Sequence, residues 1–265
     1  MLRSLVPLLA VCLVAGSTAS LAAGPTLDAR YSVETMGVDV GRATLQVERA
    51  TEGLAARFRF ETAALLGLVE ETDTRMETLA SGMRDALRPK RFVGVYKKED
   101  RTREVDMAYG ANGAIDAFTL KKRGSVRIGA VPTGLAEDTL DPIAAFLRAR
   151  SWLDQATVGS ELGMSVFDGR KRYETTLRYL GLTQYAAEHG TMPAHQVGIR
   201  YELLQSLNED SGVLEPEKRA QTRELQMMVS ADGRYVPLRV DGNFDGMPLT
   251  ATLAADCAGP GGCPD

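Results

Sequence analysis

Histidine and cysteine are scarce in this 265-residue sequence, which has two histidines and three cysteines. His189 and His195 have no cysteine or histidine partner at the spacing of a zinc site. The sequence also lacks a G-x-S-x-G nucleophile motif, a phosphate-binding loop and a dinucleotide fingerprint. We therefore predict no catalytic residue, no metal and no cofactor, and expect that the protein is not an enzyme.

Long apolar runs are missing beyond the N-terminus. Residues 1–23 combine the basic Arg3, a short apolar run and a small-residue stretch, which is typical of a secretory signal peptide. We expect cleavage after Ala22 or Ala23 and a periplasmic location. The apolar run is too short to cross a bilayer and no second run follows, which predicts a protein that is not membrane-spanning.

The chain also lacks an excess of positive charge. The chain has 31 basic and 35 acidic residues, a net charge of −4, and no basic stripe. The one short basic segment, residues 121–124, is interpreted as a solvated turn. Nucleic acids attract proteins through clustered basic residues, so we predict no nucleic-acid partner.

Two cysteines, Cys257 and Cys263, lie in the Gly/Pro-rich C-terminal tail. An oxidising compartment favours a disulfide between them, whereas a redox or metal site would need closer cysteine spacing or a nearby histidine. We predict that residues 256–265 form a flexible tail containing this disulfide. Residues 24–255 are expected to form a single domain.

Alternating apolar and polar residues, separated by turn signals, extend from residues 31–47 to residues 248–253. In the first hairpin, Gly37 and Gly41 permit a turn and a bulge or a close backbone approach. Roughly a dozen strands joined by short turns predict a mainly β fold. We expect a curved antiparallel sheet, or half-barrel.

One helix is predicted over about residues 141–154, within the segment LDPIAAFLRARSWL. Asp141 is a good N-cap, and Pro142 takes the first helical position, where proline is best tolerated. Apolar side chains recur at helical spacing and predict that the helix covers the sheet. The members of this stripe are Ile143, Phe146, Leu147 and Leu153.

Arg150 falls in the middle of that apolar stripe. Its guanidinium group stays charged, so it either reaches solvent or finds a carboxylate or carbonyl partner. The alternative is that Arg150 points into a cavity under the helix and orients a ligand.

Residues 63–69, AALLGLV, are apolar on both faces. They suit either plain core or the wall of a hydrophobic cavity. Our leading hypothesis is a half-barrel that binds a lipid or acyl chain, with Arg150 as the polar anchor. Trp152 lies opposite Ile143, so packing outside the cavity is an alternative for it. The candidate wall residues are Phe146, Leu147, Trp152, Leu65 and Leu66.

Two other functions are considered. An assembly or interaction factor of the cell envelope would contact a protein or glycan through an exposed face or edge of the sheet, and an interior filled by side chains would favour it. A hydrolase would use Asp138 or Asp141. However, Asp141 already caps the helix, and Asp138 belongs to a loop pair of acids that is usually solvated.

Five short motifs follow one another along nearly all of the mature chain. In this order they resemble a bacterial family of exported proteins, domain of unknown function 3108 (DUF3108). The chain departs from the family in its cysteine-bearing tail and in the sequence Arg-Ala-Arg at 148–150. The motifs are Tyr31-x-Val33-x-x-x-Gly37-x-x-Val40-Gly41-x-Ala43-x-Leu45, Leu87-Arg88-Pro89, Asp141-Pro142 through Arg150, Asp168-Gly169-Arg170-Lys171-x-Tyr173 and Asp232-Gly233-Arg234-Tyr235-Val236-Pro237.

The resemblance implies a fold similar to that of the periplasmic carrier and receptor of lipoproteins, a LolA/LolB-like half-barrel with helices over its open mouth. It implies no reaction, because a shared fold does not fix a function.

Overall fold

The computed structural model describes residues 26–51, 53–62, 71–82, 87–135, 137–187, 190–244, 247–258 and 263. The predicted signal peptide and the apolar residues 63–69, with Leu65 and Leu66, lie outside these described residues. The described chain forms one helix, α1 (Pro142–Trp152), and fourteen strands. In chain order, β1 to β14 span Leu27–Thr35, Val38–Ala50, Gly53–Thr62, Thr72–Ser81, Arg88–Lys98, Arg101–Tyr109, Ile115–Lys122, Ser125–Ile128, Glu161–Phe167, Lys171–Ala187, Gly190–Asn208, Val213–Ser230, Pro237–Phe244 and Met247–Asp256.

All the described strands belong to one antiparallel sheet, in the order β8-β7-β6-β5-β4-β3-β2-β1-β14-β13-β12-β11-β10-β9. Neighbours in the sheet are also neighbours in sequence, except for β1 and β14, where Val33 pairs with Ala251. The sheet is not closed and has β8 and β9 at its edges. This confirms the predicted mainly β fold, a curved antiparallel sheet with one covering helix.

The first hairpin contains both predicted glycine features. Gly37 occupies the turn between β1 and β2 with a φ of +77°, a region that favours glycine. The pairing of β1 with β2 shifts by one residue after Val33, and Val40 is the extra residue of a bulge. At Gly41 a side-chain carbon would collide with the backbone carbonyl of Glu61 on β3. A turn and a close backbone approach are thus present at these two positions.

Helix α1 lies between two clusters of buried side chains on the sheet. Ile143 and Leu147 pack into a first cluster that comes mainly from β1–β7. Ala144, Ala145 and Ala149 pack into a second cluster that comes mainly from β9–β13, where Leu153 joins them just after the helix. Both faces of α1 are therefore buried. The prediction that Leu153 shares one apolar stripe with Ile143 and Leu147 is wrong, because Leu153 packs into the second cluster.

The interior next to β5–β7 is filled by side chains. Phe167, at the end of β9, is fully buried and packs against Phe118 of β7, with 5.9 Å between the ring centroids. The hydroxyl of Tyr96 on β5 donates a hydrogen bond of 3.1 Å to the backbone carbonyl of Asp168. The turn between β9 and β10 is therefore tied to the first half of the sheet.

The C-terminal end of β14 remains attached to β1. The backbone N–H of Cys257 donates to the carbonyl of Asp28 at 2.7 Å, and the sulfur atoms of Cys257 and Cys263 form a disulfide. Strand β14 itself continues through Asp256, one residue beyond the predicted domain boundary. A disulfide is compatible with an exported protein. Across the described residues, no helix has the length and apolar character needed to cross a bilayer.

Candidate functional site

A cavity of about 700 Å³ opens at one end of the half-barrel. It lies between the C-terminal half of α1, the turn from β2 to β3, the end of β4 and the turn from β12 to β13. Leu54 and Leu147 contribute apolar wall, while Arg49, Arg150 and Arg234 contribute three guanidinium groups. Its volume lies within the range of roughly 300–1,000 Å³ that is usual for small-molecule sites.

Arg150 has the carbonyl partner expected as one of its alternatives, and it also lies at the cavity. It lines the cavity, and its Nε donates a hydrogen bond of 2.8 Å to the backbone carbonyl of Arg234. Burial lowers the pKa of its guanidinium, an effect that nearby Asp154 opposes, and arginine nonetheless remains protonated at neutral pH. Within the described residues, Nε is the one nitrogen of this guanidinium that has a hydrogen-bond partner.

Arg234 is held by two carboxylates. Its Nε donates to Asp232 at 2.7 Å, and its Nη1 donates to Asp256 at 2.5 Å. Burial acts to lower the pKa of Arg234, but these two hydrogen bonds outweigh it and raise the pKa. The backbone N–H of Arg234 also donates to Asp232, which closes the turn after β12. The backbone carbonyl of Arg234 in this turn accepts the hydrogen bond from Nε of Arg150.

Arg49 approaches the cavity from the end of β2. Its side chain is exposed, and no carboxylate of the described residues forms an ion pair with it. Arg49 lines the same cavity as Arg150, although the two residues are far apart in the sequence. The cavity is therefore lined by one exposed cation, Arg49, and by two half-buried cations, Arg150 and Arg234.

Asp141 lies elsewhere, fully buried at the start of α1. Its Oδ1 accepts hydrogen bonds from the Thr78 hydroxyl at 2.7 Å and from the backbone N–H groups of Ile143 and Ala144 at 3.0 and 2.8 Å. Its Oδ2 accepts from the Tyr109 hydroxyl at 3.3 Å. Burial raises the pKa of Asp141 to about 6 despite these donors. Asp141 thus caps the helix and ties it to β4 and β6.

The two aspartates of the hydrolase hypothesis are not part of the cavity. Asp141 is enclosed by its hydrogen-bond donors, and Asp138 is exposed in the segment that precedes the helix. Neither residue lines the cavity. Among the described residues there is also no group of three or more His, Cys, Asp or Glu side chains that could hold a metal ion.

The structure brings together two of the six predicted ligand residues, Leu147 and Arg150. Phe146 is half-buried against the first cluster and Trp152 against the second, and neither lines the cavity. Leu65 and Leu66 lie outside the described residues. The sequence reasoning missed several lining residues because they come from separate turns, and only the Asp-Gly-Arg-Tyr turn motif pointed to two of them. The missed residues include Arg49, Leu54, Arg234 and Tyr235.

These elements define an open antiparallel half-barrel with one covering helix and a cavity at its end. The chain belongs to the family described as protein of unknown function (DUF3108), whose model matches residues 30–253. This confirms the family predicted from the five motifs. None of the curated proteins matches the chain.

The chain is similar to several solved structures, of which two are described here. The first is a beta-barrel-like protein of domain of unknown function DUF1849 from Brucella abortus, with a TM-score of 0.55 and 12% identity, covering 87% of this chain and 95% of that chain. The second is a candidate lipoprotein from Parabacteroides distasonis, with a TM-score of 0.35 and 10% identity, covering 88% and 96%. The first likeness shows a shared fold.

Proposed function

We propose that this protein is a periplasmic, non-enzymatic binding protein that holds an apolar ligand, a lipid or acyl chain, in the cavity at the end of its half-barrel. The observation that supports this proposal is the cavity itself, whose surface is mostly apolar although eight of the described residues that line it have polar side chains. Apolar surface combined with polar groups that orient the ligand is a usual form of a small-molecule site.

Each part of the cavity has a role in this proposal. Leu54 and Leu147 contact the apolar chain, and burial of that chain supplies most of the binding free energy. Arg150 orients the polar end of the ligand, because its position is fixed by the carbonyl of Arg234. Phe146 and Trp152 support the helix from the two core clusters.

A cavity-filling substitution tests the proposal. Ser151 lies on α1 and lines the cavity, so Ser151→Phe places a ring where the ligand would bind. The matched control is Arg148→Phe, because Arg148 is the exposed residue of the same helix and does not line the cavity. The measurement is the fluorescence of N-phenyl-1-naphthylamine, a neutral apolar dye that brightens when it leaves water.

We expect the unsubstituted protein and Arg148→Phe to bind the dye with equal affinity, and Ser151→Phe to bind it at least about tenfold more weakly, a difference of about 1.4 kcal/mol. Circular dichroism checks that both variants are folded. Equal dye binding by Ser151→Phe and Arg148→Phe would exclude this cavity as the ligand site.

A second candidate is an assembly or interaction factor of the cell envelope. It is favoured by the filled interior near β5–β7 and by apolar side chains at the opposite end of the half-barrel from the cavity. Met36, Val38 and Met247 are exposed there, and the Thr35 hydroxyl joins their two turns by donating to the carbonyl of Pro248. A photo-crosslinker at Met36 would yield a discrete protein adduct in cells, while the same group at Arg42 would not. Equal crosslinking at both positions would contradict this candidate.

A further inference from the structure

Among the residues that the structure describes, no carboxylate is bonded to two of the cavity's cations, Arg49 and Arg150. The terminal nitrogens of Arg150 have no hydrogen-bond partner within the described residues, although the side chain is half-buried. Arg49 likewise has no ion-pair partner among the residues that the structure describes. A guanidinium carries five N–H donors, and leaving them unsatisfied away from bulk water is unfavourable.

The charges around the cavity are unevenly paired, although its three arginines and the three nearest described aspartates are equal in number. Arg234 contacts both Asp232 and Asp256, so one guanidinium engages two carboxylates. Asp154, one helical turn after Arg150, lines the cavity and favours the charged form of Arg150. Among the described residues, Arg49 and Arg150 therefore line the cavity without a bonded carboxylate.

From this arrangement we infer that the ligand is an anionic amphiphile, a molecule with one acyl chain and a carboxylate or phosphate head group that binds between Arg49 and Arg150. The inference rests on the proposed function and adds the ligand's charge. In this arrangement the chain of the ligand lies along Leu54 and Leu147, and its head group lies near the opening.

The chemistry of arginine supports this assignment. Its planar fork of N–H donors matches the two oxygens of a carboxylate or a phosphate, and such charge-assisted hydrogen bonds are stronger than neutral ones. Nε of Arg150 already donates to the carbonyl of Arg234, which fixes the plane of the guanidinium and leaves its terminal nitrogens for the ligand. Arg49, which is exposed, is free to close over a bound head group.

The test compares ligands that share a chain and differ in the head group. Isothermal titration calorimetry measures the binding of laurate and dodecyl phosphate, each below the concentration at which it forms micelles, and of dodecanol below its solubility limit. The proteins are the unsubstituted chain, Arg49→Gln, Arg150→Gln and the control Arg42→Gln. Arg42 is an exposed arginine on the same strand as Arg49 and does not line the cavity.

We expect laurate or dodecyl phosphate to bind at least about tenfold more tightly than dodecanol, because one charge-assisted hydrogen bond contributes about that factor. Arg49→Gln and Arg150→Gln should reduce this preference, whereas Arg42→Gln should not. The ratio of the laurate and dodecyl phosphate affinities identifies the head group. Added salt should weaken the anionic ligands and leave dodecanol unchanged.

Equal affinities for dodecanol and the two anions, unchanged in the arginine variants, would overturn the anionic head group and leave the proposed function intact. Failure of all three ligands to bind would overturn both. If Arg150→Gln does not fold, the exposed Arg49 decides the question, since its replacement removes no hydrogen bond or ion pair within the described residues.

Discussion

Replacement of Asp141 by asparagine separates the charge of this buried cap from its hydrogen bonds. Burial raises the pKa of Asp141 from its ordinary value of 3.8 to about 6, because it outweighs the donors from Thr78, the helix N–H groups and Tyr109. Between these two pH values the folded state keeps a proton that the unfolded state releases. The contribution of Asp141 to stability is therefore highest below pH 4 and falls as the pH rises to about 6.

The size of this effect follows from the shift of the pKa. Two pKa units correspond to about 3 kcal/mol. Asparagine keeps the side-chain oxygen that accepts from Thr78 and the two N–H groups, but it does not titrate. Relative to the wild-type protein, the free energy of unfolding of Asp141→Asn should therefore rise by about 2 kcal/mol between pH 4 and pH 7, because part of the full effect falls below pH 4.

The assay is urea unfolding of both proteins at a series of pH values from 4 to 8. Subtracting the free energies of unfolding of the two proteins at each pH removes the contribution of every other titrating group. As a control, Asp141→Ala removes the cap as well as the charge and should be less stable than Asp141→Asn throughout, by about 1–2 kcal/mol for the cap alone. A difference between wild type and Asp141→Asn that is constant with pH, or that falls as the pH rises, would refute the reasoning.

Three further outcomes are expected. Gly41→Ala should lower the free energy of unfolding by about 1–3 kcal/mol in urea titrations, because its new methyl group meets the carbonyl of the adjacent strand, while Gly37→Asn should be nearly neutral because its turn is open. The double variant Cys257→Ser/Cys263→Ser should lose only about 2 kcal/mol in the same assay, since the disulfide closes a short loop, and a loss above about 4 kcal/mol would contradict this. Arg150→Ala should release a co-purified ligand while thermal melting still shows a cooperative fold; retention of the ligand would exclude the anchor role.

The fold was largely predictable because its signals are local. Alternation along residues such as Ala43, Leu45 and Val47, which are buried, identifies a strand without any knowledge of its partner. The Asp141-Pro142 start likewise identifies the helix. The pairing of β1 with β14 was not predictable in this way, since it joins residues at opposite ends of the chain. Strand β8 was missed because its four residues are too short for a periodic signal.

The second buried face of α1 and the set of residues around the cavity could not be predicted from the sequence. The apolar stripe of α1 was visible in the sequence, but its alanines gave no sign that the opposite face is also buried, since alanine suits either environment. Arg150 stood out because a charge interrupts an apolar face. Arg49 and Arg234 each lie at a turn among other charged residues, and only the three-dimensional fold places them around one cavity with Arg150.

Native mass spectrometry of the protein purified from bacterial cells that produce its full sequence, followed by organic extraction and lipid analysis, tests the proposed ligand binding. We predict a discrete additional mass that extracts as an amphiphile with a single acyl chain. We also predict that Ser151→Phe loses this mass and that Arg148→Phe keeps it. A protein that carries no additional mass, and stays unchanged after incubation with envelope lipids, would contradict the account and direct the search to protein partners.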